Sequence, residues 1–176
     1  LPLALAACKD AALSQWLDPD RTFASLPQPD VTGLDATVEK QATDALAAGD
    51  VRRAAQFYEQ LIDRKSGAAA DQLRFKLGLA DALRRLGEYD RALNVYTALL
   101  KDAPTNLDAR EGRGLSLMAQ GKTVDAGREF SEIIKADQRR WRTLNALGIL
   151  FVTKNMIPEA MAYYNEALRQ SPENPS

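Results

Sequence analysis

Residues 141–172 read W-R-T-L-N-A-L-G-I-L-F-V-T-K-N-M-I-P-E-A-M-A-Y-Y-N-E-A-L-R-Q-S-P, from Trp141 to Pro172. Apolar residues recur here with a helical period. Leu144, Leu147, Gly148 and Phe151 share one face of a first segment, and Ala160, Tyr164, Ala167 and Leu168 share one face of a second. The spacing predicts helices over 141–154 and 157–170 with Asn155 at the turn. The small Gly148 and Ala160 would let the two backbones approach closely, with aromatic side chains filling the space beside them. One such hairpin cannot bury both apolar faces, so it requires neighbours of the same kind.

A step of 34 residues finds them. The turn position is Gly87, Gly121 and then Asn155. The small residue of the second helix is Ala92, Ala126 and Ala160, and the aromatic four residues on is Tyr96, Phe130 and Tyr164. Pro104, Gln138 and Pro172 end the three copies. Fixed-period self-similarity is the signature of a stacked array. The pattern resembles the tetratricopeptide repeat, most closely in Leu144, Leu147, Gly148, Phe151, Ala160, Tyr164, Ala167 and Pro172. The resemblance implies an all-α solenoid of about four helix-turn-helix units. The units are residues 35–66, 73–106, 107–140 and 141–174, within a repeat domain of residues 35–172. The first copy has its turn at Gly49, which lies 87 − 49 = 38 residues before the next, and residues 66–70 are the expected site of the four extra residues. The third copy departs from the pattern, placing Arg110 and Arg113 where apolar residues are usual. Their stems are expected to pack while the guanidinium groups reach solvent.

The composition narrows the function classes. The 176 residues hold no histidine and one cysteine, and the net charge is −1. Cys/His zinc sites, imidazole acid–base chemistry and an internal disulfide are thereby excluded. No concentrated basic face recommends a nucleic-acid partner. The expectation is a non-enzymatic protein with no catalytic or metal-binding residues and no small-molecule substrate.

The chain starts Leu1-Pro2-Leu3-Ala4-Leu5-Ala6-Ala7-Cys8, without Met. This run is too short to span a bilayer. Residues 1–7 look like the remnant of a signal peptide, and Leu5-Ala6-Ala7-Cys8 resembles a bacterial lipobox. The resemblance implies cleavage before Cys8 and its lipidation, a covalent lipid being the one added group expected. The alternative is a fragment of a longer buried segment with an inert thiol. Residues 8–34 contain Pro19, Pro27, Pro29 and Gly33 and read as a tether, with Trp16 and Phe23 expected to dock on the first helix pair. Residues 171–176 repeat the punctuation of residues 103–106, so a further helix is expected after Ser176, or else a partner covering the last apolar face.

In tetratricopeptide arrays the first helix of each pair lines the concave surface. Transferred by repeat position, the groove residues are Arg74, Leu77, Asp81, Arg84 and Arg85, then Glu111, Leu115 and Met118, then Arg142, Asn145, Ile149 and Val152. The apolar members form a strip for an extended or helical peptide, free of duties between repeats. The arginines would orient acidic residues on that peptide. The Lys/Asn pairs that clamp a C-terminal carboxylate are replaced by Glu39/Thr43, Leu77/Asp81 and Glu111/Leu115.

A lipobox followed by these repeats, with W-R-T-L-N-A-L-G at 141–148 and E-A-L-R-Q-S-P-E-N-P at 166–175, resembles the TadD family of Tad/Flp pilus assembly lipoproteins. That resemblance implies a pilotin or assembly factor on the periplasmic face of the outer membrane, held by its lipid. The implied partner is the secretin or another pilus or secretion subunit. An adaptor of another type IV pilus system or of outer-membrane protein assembly is the alternative within this class. A regulatory module of a periplasmic cell-wall enzyme is the alternative outside it.

Overall fold

The computed structural model describes residues 32–65 and 67–171. All regular structure among them is helical: α1 (Thr32–Ala47), α2 (Val51–Asp63), α3 (Ala69–Arg85), α4 (Tyr89–Asp102), α5 (Leu107–Ala119), α6 (Thr123–Ala136), α7 (Trp141–Thr153) and α8 (Ile157–Gln170). The expectations for Cys8, Trp16 and Phe23, and for residues 172–176, concern chain outside the described residues.

The four hairpin turns sit where the register places them. Gly49, Gly87, Gly121 and Asn155 all have positive φ, from 57° to 79°, the left-handed region that glycine enters freely and asparagine tolerates. After Gly87 the Glu88 N–H donates to Leu83 O at 2.9 Å, and the Gly87 N–H donates to Arg84 O at 3.1 Å. The same pair of bonds recurs at Gly121 and Asn155. Each turn therefore satisfies carbonyls that the ending helix leaves open. At the other ends, Asn106 caps α5 by accepting the Ala109 N–H at 2.9 Å, as its sequence position predicts.

Each helix packs on the one before and the one after, and α5 also touches α3 and α7. The aromatic of each second helix organises this packing. The Tyr96 and Phe130 rings are 1% and 0% exposed. A Cβ on Gly148 would stand 2.5 Å from the Tyr164 ring, and one on Gly78 would stand 2.5 Å from Tyr58. The missing methyl groups therefore make room for rings, rather than simply letting backbones approach as expected for Gly148. The ring-against-glycine contact also crosses between units, with Gly78 on Tyr58 and Gly112 on Tyr96.

Two expectations change, and the site of the insertion becomes specific. Helix α1 takes in residues 32–34, which the sequence reading gives to the tether. Leu34 is 52% exposed, so this turn forms through backbone bonding with no burial period to reveal it. The four extra residues lengthen the start of a helix, beginning within the expected stretch: α3 has 17 residues against 13 in α5 and α7. Its added first turn is held by Asp71, which accepts the Ala68 N–H at 2.9 Å. Finally, the guanidinium groups of Arg110 and Arg113 do not reach for solvent. They converge on Glu129 of α6, at 3.4 and 2.8 Å, with all three side chains largely buried. A carboxylate within reach of a half-buried guanidinium outweighs the pull of water on it.

Candidate functional site

The first helices α3, α5 and α7 present side chains to a cleft of about 560 Å³. Eight of the twelve groove residues from the sequence line it: Arg74, Leu77, Asp81, Arg84, Arg85, Glu111, Leu115 and Arg142. The other four lie elsewhere. Met118 packs on the core around Phe130 and Leu147. Asn145 borders a second cleft with Trp141 and Tyr164, and Ile149 and Val152 are exposed on α7. Leu77 and Leu115, like Met118, also pack against the cores. Five lining residues were missed: Tyr58, Gly78, Tyr96, Asp108 and Gly112. The 34-residue register marks the tyrosines and glycines as packing partners, and only the assembled helices show that their edges also floor the cleft.

Most of the cleft's charge is committed internally. Arg74 grips Glu39 through two bonds of 2.6 and 2.9 Å and also meets Asp71 at 2.9 Å. Asp81 receives both Arg84 and Arg85, the latter at 2.8 Å. Glu111 accepts the Thr143 hydroxyl at 2.9 Å and lies 3.6 Å from Arg140, which also pairs with Asp108. Arg142 is different. Its guanidinium lies 5.3 Å from the Trp141 ring centroid, and no carboxylate among the described residues pairs with it. The Arg84 Nε is buried without a hydrogen-bond partner.

The titration of the floor follows from this burial. The Tyr96 hydroxyl is pushed up to about 12 by burial, with Asp81 adding to the shift and Arg84 opposing it. Burial, then Glu39 and Asp81, also raise Tyr58. Burial works against the charge on Arg84, but Asp81, with Tyr96 adding to it, outweighs burial and the pKa ends raised. The Tyr58 and Tyr96 phenols and the Arg84 guanidinium hold their protons at neutral pH, so the cleft offers donors, an apolar floor and, in Arg142, a cation that no carboxylate among the described residues pairs with. Among the described residues no group of three His, Cys, Asp or Glu could hold a metal ion, and no helix is long and apolar enough to cross a membrane.

The stacked pairs, the ring-on-glycine contacts and the concave cleft agree with the family match. The tetratricopeptide repeat family matches in three overlapping windows, residues 39–106, 77–138 and 113–175. The chain belongs to the tetratricopeptide repeat family. Its repeats make it a scaffold for protein–protein interaction. A region of 92 residues is 34% identical to SPINDLY of Arabidopsis thaliana, named as a probable UDP-N-acetylglucosamine–peptide N-acetylglucosaminyltransferase, and covers 52% of this chain. The chain spans 10% of the length of that relative. Among solved structures, the thermophilic tetratricopeptide protein TTC0263 of Thermus thermophilus is similar with a TM-score of 0.68 at 20% identity, covering 80% of this chain and 75% of that one. MamA of Desulfovibrio magneticus RS-1 is similar with a TM-score of 0.67 at 15% identity, covering 81% and 78%. At such identities the likeness shows the fold alone.

Proposed function

We propose that this tetratricopeptide protein is a lipid-anchored, non-enzymatic adaptor that receives a peptide segment of a secretin, as the pilotin of a Tad/Flp-type pilus. The reading starts from the cleft. Leu77 and Leu115 offer apolar contact, while neighbouring arginines are neutralised by their own carboxylates and Arg142 meets none among the described residues. A segment carrying an acidic residue beside apolar ones would place its carboxylate on Arg142 and its apolar side chains on the leucines. The sequence Leu5-Ala6-Ala7-Cys8 supports acylation of Cys8 and attachment to the outer membrane, since several acyl chains on one residue give stable anchoring. The run W-R-T-L-N-A-L-G at 141–148 supports the pilus assignment within lipoproteins of this kind.

Pull-down from a membrane extract tests the reading. The wild-type chain should retain the secretin, and Arg142→Glu should weaken retention about tenfold, equivalent to ~1.4 kcal/mol. Loss of the gene should also abolish secretin multimers on unheated gels. Unchanged multimers together with unimpaired capture by the Arg142→Glu chain would overturn the assignment. A Cys8→Ser chain that still fractionates with membranes and still takes up labelled palmitate would overturn the anchor.

A further inference from the structure

The repeat register makes the three seams between successive helix pairs comparable. The helix that enters each seam presents three equivalent positions. These are Phe75, Gly78 and Ala82 on α3, Ala109, Gly112 and Ser116 on α5, and Thr143, Ala146 and Leu150 on α7. Gly78 and Gly112 meet the Tyr58 and Tyr96 rings of the preceding helices, and Leu150 lies against Gly127 of α6. Helix α3 thus brings Phe75 and α7 brings Leu150, which are 3% and 2% exposed. Helix α5 brings nothing larger than a serine, whose hydroxyl donates to Gly112 O of its own helix at 2.8 Å. The middle seam therefore takes less apolar surface from α5 than its neighbours take from α3 and α7.

The polar contacts divide the molecule at the same place. Across the first seam Arg74 binds Glu39 at 2.6 Å and Arg91 binds Glu59 at 2.7 Å. Across the last, Arg140 at the start of α7 pairs with Asp108 and lies 3.6 Å from Glu111. Among the described residues no ion pair joins residues 32–103 to residues 104–171. Gln120 Nε2 donates to Asp90 Oδ1 at 2.8 Å across that boundary, on the exposed surface. No buried residue belongs to both hydrophobic cores, and α5 contributes only Ala109 to the first. The cleft spans this seam, with Leu77 and Arg84 on one side and Leu115 and Arg142 on the other.

We propose that the seam between α4 and α5 is a hinge, about which residues 32–103 and 104–171 swing as two bodies and set the width of the cleft. A face of small residues between separate cores parts at lower cost than one sealed by Phe75 or Leu150, so motion concentrates there. A segment that touches both Leu77 and Arg142 would clamp the two bodies together, a step that rests on the adaptor reading of the cleft.

Paired nitroxide labels test the hinge in the free chain. Gln56, Asn94, Arg128 and Ala162 occupy one repeat position on α2, α4, α6 and α8 (94 − 38 = 56, 94 + 34 = 128, 128 + 34 = 162), and all four are exposed. Cysteines replace them two at a time in a Cys8→Ser chain: Gln56→Cys with Asn94→Cys, Asn94→Cys with Arg128→Cys, and Arg128→Cys with Ala162→Cys. Each pair spans one seam. The distance distribution of the middle pair should be about twice as wide as that of either outer pair. Each label of the middle pair also serves in an outer pair, so label motion alone does not produce that difference. A middle distribution no wider than the outer two overturns the hinge, as does the greatest width in an outer pair. Failure to retain a secretin would count against the adaptor reading and leave the hinge measurement standing.

Discussion

Leu144, Leu147 and Tyr163 of the last helix pair occupy the positions that Arg110, Arg113 and Glu129 occupy 34 residues earlier. In α7–α8 the two leucines are 3% and 5% exposed, and Tyr163 stacks on Phe151 at 5.1 Å between centroids. In α5–α6 the arginine side chains are 25% and 22% exposed, and Glu129 between them is 13% exposed. The backbone is the same and the chemistry is opposite. The difference teaches that a repeat position demands mutual satisfaction rather than hydrophobicity, since three residues have changed together and each makes sense only with the others. It also has a consequence for the solenoid. One core runs from Val38 to Ala109 and a second from Ala126 to Leu150, and α5 lies between them, with Ala109 in the first and Leu107, Leu115, Leu117 and Met118 packed against the second. Replacing a buried ionic group by apolar residues of similar volume is often neutral or stabilising, so this network is a joint rather than a source of exceptional stability.

The comparison breaks most visibly if the charged solution is moved to the apolar unit. Leu147→Arg in α7 meets no carboxylate, because Tyr163 stands at the Glu129 position. Its cost should exceed about 4 kcal/mol and appear as loss of cooperative urea unfolding of the C-terminal pair. A smaller loss is expected from Glu129→Leu, which removes the carboxylate that lies between two largely buried guanidinium groups. About 3 kcal/mol is expected for that removal, read as a shift in the urea midpoint. Adding Arg110→Leu and Arg113→Leu to Glu129→Leu should recover stability to within about 1 kcal/mol of the wild type. Failure of the triple variant to recover would show that the network holds the geometry of α5 in a way apolar packing does not.

The smallest effect belongs to the sealed ring between α4 and α5. Tyr96 has its pKa raised by burial to about 12. A raised folded-state value means that the stabilising contribution is complete below the ordinary tyrosine pKa near 10 and is lost as pH rises through about 12. No effect is expected at neutral pH. Phenolate absorbance should show Tyr96 titrating after the other tyrosines, near 12, with Tyr58 also delayed, and stability declining over that window. Tyr96→Phe should remove that late-titrating phenol.

The helices were largely legible because period, turn chemistry and register pointed the same way. Gly87, Gly121 and Asn155 mark turns by a backbone requirement that acts locally, and Tyr96, Phe130 and Tyr164 repeat because each must meet a neighbour. The site was legible in part. Arg74, Leu77 and Arg142 could be placed on the inner helices from repeat position. Their engagement could not, because Asp81 choosing Arg84 and Arg85, or Glu111 choosing Thr143 and Arg140, depends on distances between side chains that repeat position does not specify. The Arg110–Glu129–Arg113 network did leave a trace. Complementary charges replace three apolar positions at once, and a register comparison of 110, 113 and 129 would have found it.

The sequence by itself determined an all-helical repeat array and the positions of its turns, because a 34-residue period with left-handed residues at fixed points has few other physical solutions. Only the tertiary structure decided which arginine of the cleft meets no carboxylate among the described residues, where the inserted turn went, and that Tyr164 borders a cleft where Tyr96 and Phe130 are closed over. Those outcomes are set by which side chains meet across helices, where a shift of a few ångströms decides whether a charge is paired or a ring is covered.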